Sequence, residues 1–329
     1  MPPGGVLSSS DRTMRVKILG SAAGGGFPQW NCGCANCRRF REGQFSGRAR
    51  TQTQIAIDAN PDYAIRAYWG LVNASPDLRA QIMATPELRP FSNANTSTPI
   101  RDIYLPSADV DSLMGLLHLR EFQGFRILST PAVRRIVEEE NSVFAVLGRA
   151  APPVEWVKLP LAVPGDCSKI HNPAGPPQLI ARAIPLGGEY PDYVSGRLRA
   201  ALPPDEAVMG LVFDYSGKRL FVAPVLPNRN TGWKDWAISS DVVLLDGTFW
   251  SDAELIHTGR SKKTAREIGH LPLSGPGGLL DQFPKSSRAR KILLHINNTN
   301  PILDEDSAEH RAVLEAGFEI AYDGMELQL

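Results

Sequence analysis

No charge of either sign prevails in this chain. Its 35 lysines and arginines are balanced by 35 aspartates and glutamates, so bulk electrostatics announces no polyanion-binding surface and no nucleic-acid partner is expected. A run of about 18 apolar residues is also missing, so neither a membrane span nor a membrane partner is expected. Residues 1–13, M-P-P-G-G-V-L-S-S-S-D-R-T, lack the apolar core of a secretory signal and read as a disordered extension. No segment repeats with a period of about 20–50 residues. The glycines of G-S-A-A-G-G-G do not form G-x-G-x-x-G with a ribose-binding acid behind it, and neither a P-loop nor a G-x-S-x-G elbow occurs.

Cysteine is scarce, with four in 329 residues, but it is not scattered. Cys32, Cys34 and Cys37 fall within six residues, in G-S-A-A-G-G-G-F-P-Q-W-N-C-G-C-A-N-C after the apolar run Val16–Leu19. Three thiols this close leave one unpaired, and neighbours two apart are badly placed for a disulfide. They can converge on one metal ion, and Zn²⁺ suits a thiolate set. The fourth ligand must come from elsewhere in the chain: an Asp, an Asn or a His from the later loops. A metal-type cluster holding most of the cysteine points to a reducing cytoplasm. Cys167 stands alone in a Pro/Gly-rich loop and reads as an incidental thiol.

The hydrophobic share, 43%, is enough for a sizeable core, and residues 14–329 read as one domain. Thr53–Ala59 and Ala67–Asn73 alternate as strands across the turn residues N-P-D-Y. A helix should open at A-S-P-D-L-R-A-Q-I with Ser75 as N-cap and Pro76 in the first turn. Strands are expected at Arg101–Pro106 and Phe125–Ser129, and helices at Leu113–Arg120 and Pro131–Glu140. Proline-rich, less regular stretches cover Ala150–Pro177 and Pro191–Pro204, with a strand at Gln178–Leu186 between them. Ala207–Tyr215 and Lys218–Val222 form a hairpin across Ser-Gly. Asp241–Leu245 and Lys291–Ile296 are short buried strands, and Asp306–Ala316 is a final helix before a strand at Phe318–Tyr322. Hairpins open each half and strand–helix alternation closes it, the organisation of an αββα sandwich.

Six histidines are available. His118 and His310 sit on helices as structural residues, and His171 and His257 lie in polar, solvated stretches. His295 and His270 differ. The first ends an apolar strand and enters H-I-N-N-T-N-P; the second sits in G-H-L-P-L-S-G-P-G-G, which a packed core does not explain. Asp246 ends its strand in D-G-T-F-W, where an ionised side chain must be paired or bound to metal, or must form the turn before Gly247. Asp109 and Asp111 lie in the loop after Leu105, where Asp111 could simply open a helix.

These segments, with R-T-Q-T-Q-I-A-I, N-A-S-P-D-L-R-A-Q-I, G-L-L-H-L-R-E and Y-D-G-M-E, run in order from Ile18 to Glu326. Together they resemble the PqqB family, metallo-β-lactamase-fold proteins of pyrroloquinoline quinone biosynthesis. The resemblance implies that fold, two mixed β-sheets flanked by helices, and a structural zinc at the cysteines. It also implies a cleft at the strand ends where iron-dependent hydroxylation of a tyrosine-derived ring takes place. One departure matters. The family's Asp-His metal-ligand pair reads Asp111-Ser112 here, and a serine hydroxyl is a poor ligand for Fe²⁺ beside an imidazole. The resemblance still assigns Asp111, His270, His295 and Asp246 to catalysis. Asp111 and His295 would hold the active-site metal, with Asp109 and Ser112 beside it and His270 as a proton donor.

Two functions follow as expectations. One is a metal-dependent hydroxylase acting on a small aromatic, amino-acid-derived or quinone-type substrate. The other is a non-catalytic carrier of the quinone or its precursor, its active-site metal lost through Ser112. A homodimer is open to either.

Overall fold

The computed structural model describes residues 13–58, 68–90, 98–121, 124–163, 165–170, 178–227 and 231–329. Residues 1–12 of the expected extension at 1–13, the turn around N-P-D-Y and His171 lie outside them. Within the described residues two sheets stack face to face. The first holds seven strands in the order β13-β1-β2-β3-β4-β5-β6: β1 (Arg15–Gly20), β2 (Gln54–Asp58), β3 (Trp69–Val72), β4 (Ile100–Tyr104), β5 (Arg126–Ser129), β6 (Glu155–Lys158) and β13 (Glu326–Gln328). The second holds six in the order β12-β11-β10-β9-β8-β7: β7 (Ile180–Gly187), β8 (Val208–Tyr215), β9 (Lys218–Ala223), β10 (Val242–Asp246), β11 (Arg290–Leu294) and β12 (Phe318–Ile320).

The expected division within each half is present. β1–β2–β3 and β7–β8–β9 are antiparallel, whereas β3–β4–β5–β6 and β9–β10–β11–β12 are parallel. Every residue of β8 and of β10 is buried, which explains their near-continuous apolar runs: strands covered on both faces need no polar side. The β8–β9 hairpin closes on Ser216-Gly217, both at positive φ, 52° and 81°, the turn that matches strand twist. Between the sheets lie Ile18, Ile55, Ile57, Phe213, Leu220, Leu244 and Ile292, all 0% exposed. Helices and loops cover the outer faces, giving the four layers of the αββα sandwich.

The helix Pro131–Glu140 forms as its sequence dictates. Thr130 Oγ1 accepts from Val133 N, Pro131 occupies the first turn, and Ala132, Val133, Ile136 and Val137 face the core. Three expectations change. Ser75 does not cap the next helix, Leu78–Ala84, whose N-cap is Asp77; the Ser75 hydroxyl instead donates to Gln81 Oε1. The Leu113–Arg120 helix is one α-turn at Val110–Leu113 followed by a 3₁₀ segment, Met114–Arg120. There Gly115 packs on the chain at Ala74–Ser75 so closely that a Cβ would lie 2.3 Å from Ser75 O, and His118 is exposed rather than packed. The strands β6 and β13 and the helix Trp233–Ser239 were not foreseen. β6 lies in proline-rich sequence and takes its pairing from β5, and β13 takes its pairing from β1 at the other end of the chain.

Candidate metal centre and active site

Four loops meet at one edge of the sandwich. They leave the C-terminal ends of β1, β4, β10 and β11. Ala23 N donates to Ile296 O at 2.9 Å, joining the first and last. A bridge between Ser107 and Val208 ties the β4 loop to the second sheet. The ends of parallel strands are where open α/β sheets present their sites.

Asp246 anchors the site. It is 0% exposed and ionised by arrangement: its carboxylate accepts from Leu226 N at 2.8 Å, His270 Nδ1 at 2.8 Å, Thr248 N at 2.9 Å and Thr248 Oγ1 at 2.6 Å. Burial pushes its pKa up, but the His270 and His295 charges and these bonds outweigh that and hold it below the usual carboxylate range. Both roles expected of Asp246 are met. It forms the turn to Thr248 and it pairs with a histidine. Its acceptor sites are thereby filled, so it orients the imidazoles more than it offers a free donor atom.

The tautomers follow from this network. His270 donates Nδ1–H to Asp246. Thr248 Oγ1 lies 2.9 Å from His295 Nδ1, 2.6 Å from Asp246 Oδ1 and 2.8 Å from His295 O. Its one proton goes to an oxygen in either case, so it accepts Nδ1–H from His295. Both histidines therefore present Nε2 away from Asp246. Their rings stack at 5.5 Å and 18°, and Phe249 abuts His270 edge-on at 5.6 Å. His295 holds φ at +59°, an uncommon backbone for a non-glycine residue. Thr248 on its carbonyl and Ser21 O on the next amide keep it there.

Opposite stands Asp111, whose Oδ2 is 3.2 Å from His295 Nε2. Burial pushes the Asp111 pKa up, but the His295 hydrogen bond and charge bring it below its ordinary value. For His295 burial acts downward and is overcome by Asp111, leaving the imidazole above its ordinary value. Asp109 moves the other way, raised by burial and by the Asp111 charge, while Ser107 Oγ donates to it at 2.7 Å. The glycine-rich loop closes this side: a Cβ on Gly24 would lie 3.5 Å from Asp111 Oδ2. Ser112 is buried, with its Oγ 3.5 Å from Ser107 Oγ. Ser107 stands between it and Asp109.

Asp246, His270, His295 and Asp111 thus come together although they lie up to 184 positions apart, with Asp109 and Ser112 adjoining. Sequence reasoning passed over Thr248, the relay between Asp246 and His295, although it stands in the quoted D-G-T-F-W. It also passed over Glu254. That side chain is 6% exposed, accepts from Trp250 N at 2.7 Å and from Thr299 Oγ1, and is pushed up to about 7 by burial. Nothing in its local sequence marks it; burial alone makes it distinctive. His257 is exposed, and His310 Nδ1 bonds Ile302 O at 2.8 Å as a structural group.

The cysteine cluster lies beside this centre. The Sγ atoms of Cys32, Cys34 and Cys37 are within 4.8 Å of one another, the first and last in buried residues. Burial and the neighbouring thiols push Cys34 up to about 11. Three thiolates cannot coexist there without a cation, so the donor set fits Zn²⁺.

The family model of the Beta-lactamase superfamily domain matches residues 68–296. Across 322 residues the chain is 44% identical to coenzyme PQQ synthesis protein B of Azoarcus sp. (strain BH72), covering 96% of this chain and 100% of that one. With the protein of the same name from Pseudomonas protegens it shares 40% over 318 residues, again 96% and 100% of the two chains. The chain belongs to the PqqB family of the β-lactamase superfamily. Zn²⁺-bound PqqB from Methylobacterium extorquens superposes with a TM-score of 0.81 at 34% identity, covering 96% of this chain and all of that one. A diphosphatase of the PhnP family shares the fold alone, with a TM-score of 0.58 at 15% identity. The PqqB membership rests on the full length, so the cysteine loop, the Asp246–His270 pair and the His295 loop all fall within it.

Proposed function

We propose that this chain serves pyrroloquinoline quinone synthesis by adding oxygen to a tyrosine-derived aromatic ring at a divalent metal ion. The observation that supports this most is one fully buried carboxylate, Asp246, orienting two imidazoles whose Nε2 atoms face away from it, one of them towards Asp111. Two imidazole nitrogens and a carboxylate oxygen suit ferrous iron with open positions, and zinc accepts the same donors. A separation of 3.2 Å between His295 Nε2 and Asp111 Oδ2 suits an ion pair, and equally two donors to one cation. A ferrous ion at the group Asp246, His270 and His295, whose donor atoms lie within 4.8 Å of one another, with Asp111 facing His295, would supply the activation of dioxygen.

The remaining work belongs to the chain itself. Asp246 and Thr248 fix the Nδ1–H tautomers, so each Nε2 is a free donor or a proton-transfer atom. Asp109 and Asp111 have proton affinities pushed in opposite directions, the condition under which neighbouring carboxyls divide acid and base roles. Anaerobic ferrous loading followed by metal analysis and oxygen uptake with a hydroxyphenyl precursor tests the reading. Zinc alone, with no second metal and no uptake, would overturn it.

A second reading, a carrier for the quinone or its precursor, is favoured by Ser112. Its hydroxyl stands beside Ser107 where the family's pair has an imidazole, and a tenfold loss of metal affinity is only about 1.4 kcal/mol. Ser112→His separates the two readings. Restored metal and activity would mark the substitution as the limit, whereas tight binding of the quinone by a metal-free protein would mark a carrier.

A further inference from the structure

A cavity of about 540 Å³ opens at the β7 edge of the second sheet, within the range of small-molecule sites, about 300–1,000 Å³. No residue of its wall belongs to the Asp246 centre or to the cysteine cluster. The inner wall is apolar: Ala162 from the segment after β6, Ile184 and Pro185 from β7, and Trp236 from the helix Trp233–Ser239. That wall is tied in place by the chain itself. Ala162 N donates to Ala183 O and Ala183 N to Pro160 O, both at 2.8 Å, which fixes the segment on β7. The Arg182 and Arg219 guanidiniums each lie 5.2 Å from the Trp236 ring. Arg219 also donates to Cys167 O and Ser168 O, both at 2.7 Å. A ligand therefore bears little of the cost of ordering its site.

The charge on the wall has one sign. Asp205 and Asp235 line the cavity, and among the described residues neither carboxylate has a hydrogen bond or an ion pair. No described lysine, arginine or histidine lines it. The two guanidiniums beside Trp236 are turned to Asp214 instead. Cys167 adds no charge, because burial and then Asp235 push its thiol up. Thr231, also on the wall, has a buried hydroxyl without a partner, which a change of rotamer would bring to a ligand. An apolar wall beside unpaired carboxylates disfavours an anion and fits an ammonium. We propose that this cavity binds a small organic amine, its apolar body against Ala162, Ile184 and Trp236 and its ammonium at Asp205 and Asp235. Both carboxylates are exposed, so they choose the ligand more than they tighten it. Burial of the apolar body supplies most of the affinity. The site stands whatever reaction the Asp246 centre performs.

Calorimetry and ligand-observed NMR on the full chain test it, with phenethylamine and 3-phenylpropionate as probes of similar body and opposite charge. The amine should bind about 5-fold more tightly than the carboxylate, the scale of exposed ion pairs. Asp205→Asn combined with Asp235→Asn should remove that preference. Ala162→Phe, which fills the cavity, should abolish binding of both probes. No binding of the amine at millimolar concentration, no preference for it over the carboxylate, or a preference that survives the double asparagine variant would overturn the proposal. So would undiminished binding in Ala162→Phe. Should the phenylalanine variant fail to fold, the double asparagine variant, altered only at exposed positions, decides it alone.

Discussion

Asp246 carries more of the site than any other residue, and its removal should show it. In Asp246→Ala the amides of Leu226 and Thr248 and the His270 ring lose their acceptor in a fully buried position. The cost should be about 3–5 kcal/mol in urea unfolding, the scale for stranding buried charged partners. Asp246→Asn keeps the shape and should cost less while disturbing the His270 tautomer, visible in imidazole ¹⁵N shifts. Buried Asp214 makes a parallel case away from the centre. It pairs with Arg219 at 2.7 Å and Arg182 at 2.8 Å, all nearly or fully buried beneath Trp236. Asp214→Ala should likewise cost about 3–5 kcal/mol, because both guanidiniums stay behind unpaired. At this scale the sequence marked Asp246, His270 and His295 by context: a charged or ring side chain at the end of an apolar strand or in a stretch that packing does not explain. It gave no sign of Thr248's relay, and it left an Asp, an Asn or a His from the later loops open at the thiols without singling out Asn298, since both depend on partners far along the chain.

The short helix Glu254–His257 decides a pH effect. Glu254 is protonated more readily in the folded chain, at about 7, than the ordinary glutamate value of 4.5. A raised carboxyl pKa gives stability that is complete below about 4.5 and is lost as the pH rises through about 7. A shift of this size is worth about 3 kcal/mol at most. Glu254→Gln should therefore flatten the fall in unfolding free energy between those limits and leave the variant more stable than the parent at pH 8. Chemical unfolding at several pH values measures it; an unaltered pH slope would refute it. Elements with a complete local code, such as Pro131–Glu140 with its cap and apolar face, were legible in full. Segments coded by distant partners were not: β6 needs β5, β13 needs β1, and Met114–Arg120 tightens to 3₁₀ geometry where Gly115 presses on Ala74–Ser75.

Across the whole molecule the cysteine cluster and the inter-sheet core lie in different parts of the fold and can be tested separately. Chelating zinc should lower the melting temperature, since a ligand a thousandfold above its Kd contributes about 4 kcal/mol. It should also broaden the His295 resonances as the contacts of Asn298 with Cys32 and Asn36 loosen. Leu244→Ala, between the sheets and 0% exposed, should cost about 2–5 kcal/mol by leaving a cavity, with zinc content unchanged. By itself the sequence determined the layer order, the hairpin-then-parallel plan of each half and the cysteine cluster, because alternation, turn residues and thiol spacing are local quantities. It also placed His295 and Asp246 at strand ends. Only the tertiary structure decided that His295 faces Asp111 across loops from both sheets, and that Asp246 orients His270 directly and His295 through Thr248. It alone brought an asparagine, 261 positions beyond Cys37, to the three sulfurs. The physical reason is that a site's geometry is made by strand register and sheet stacking, which bring together residues whose sequence separation carries no record of the contact.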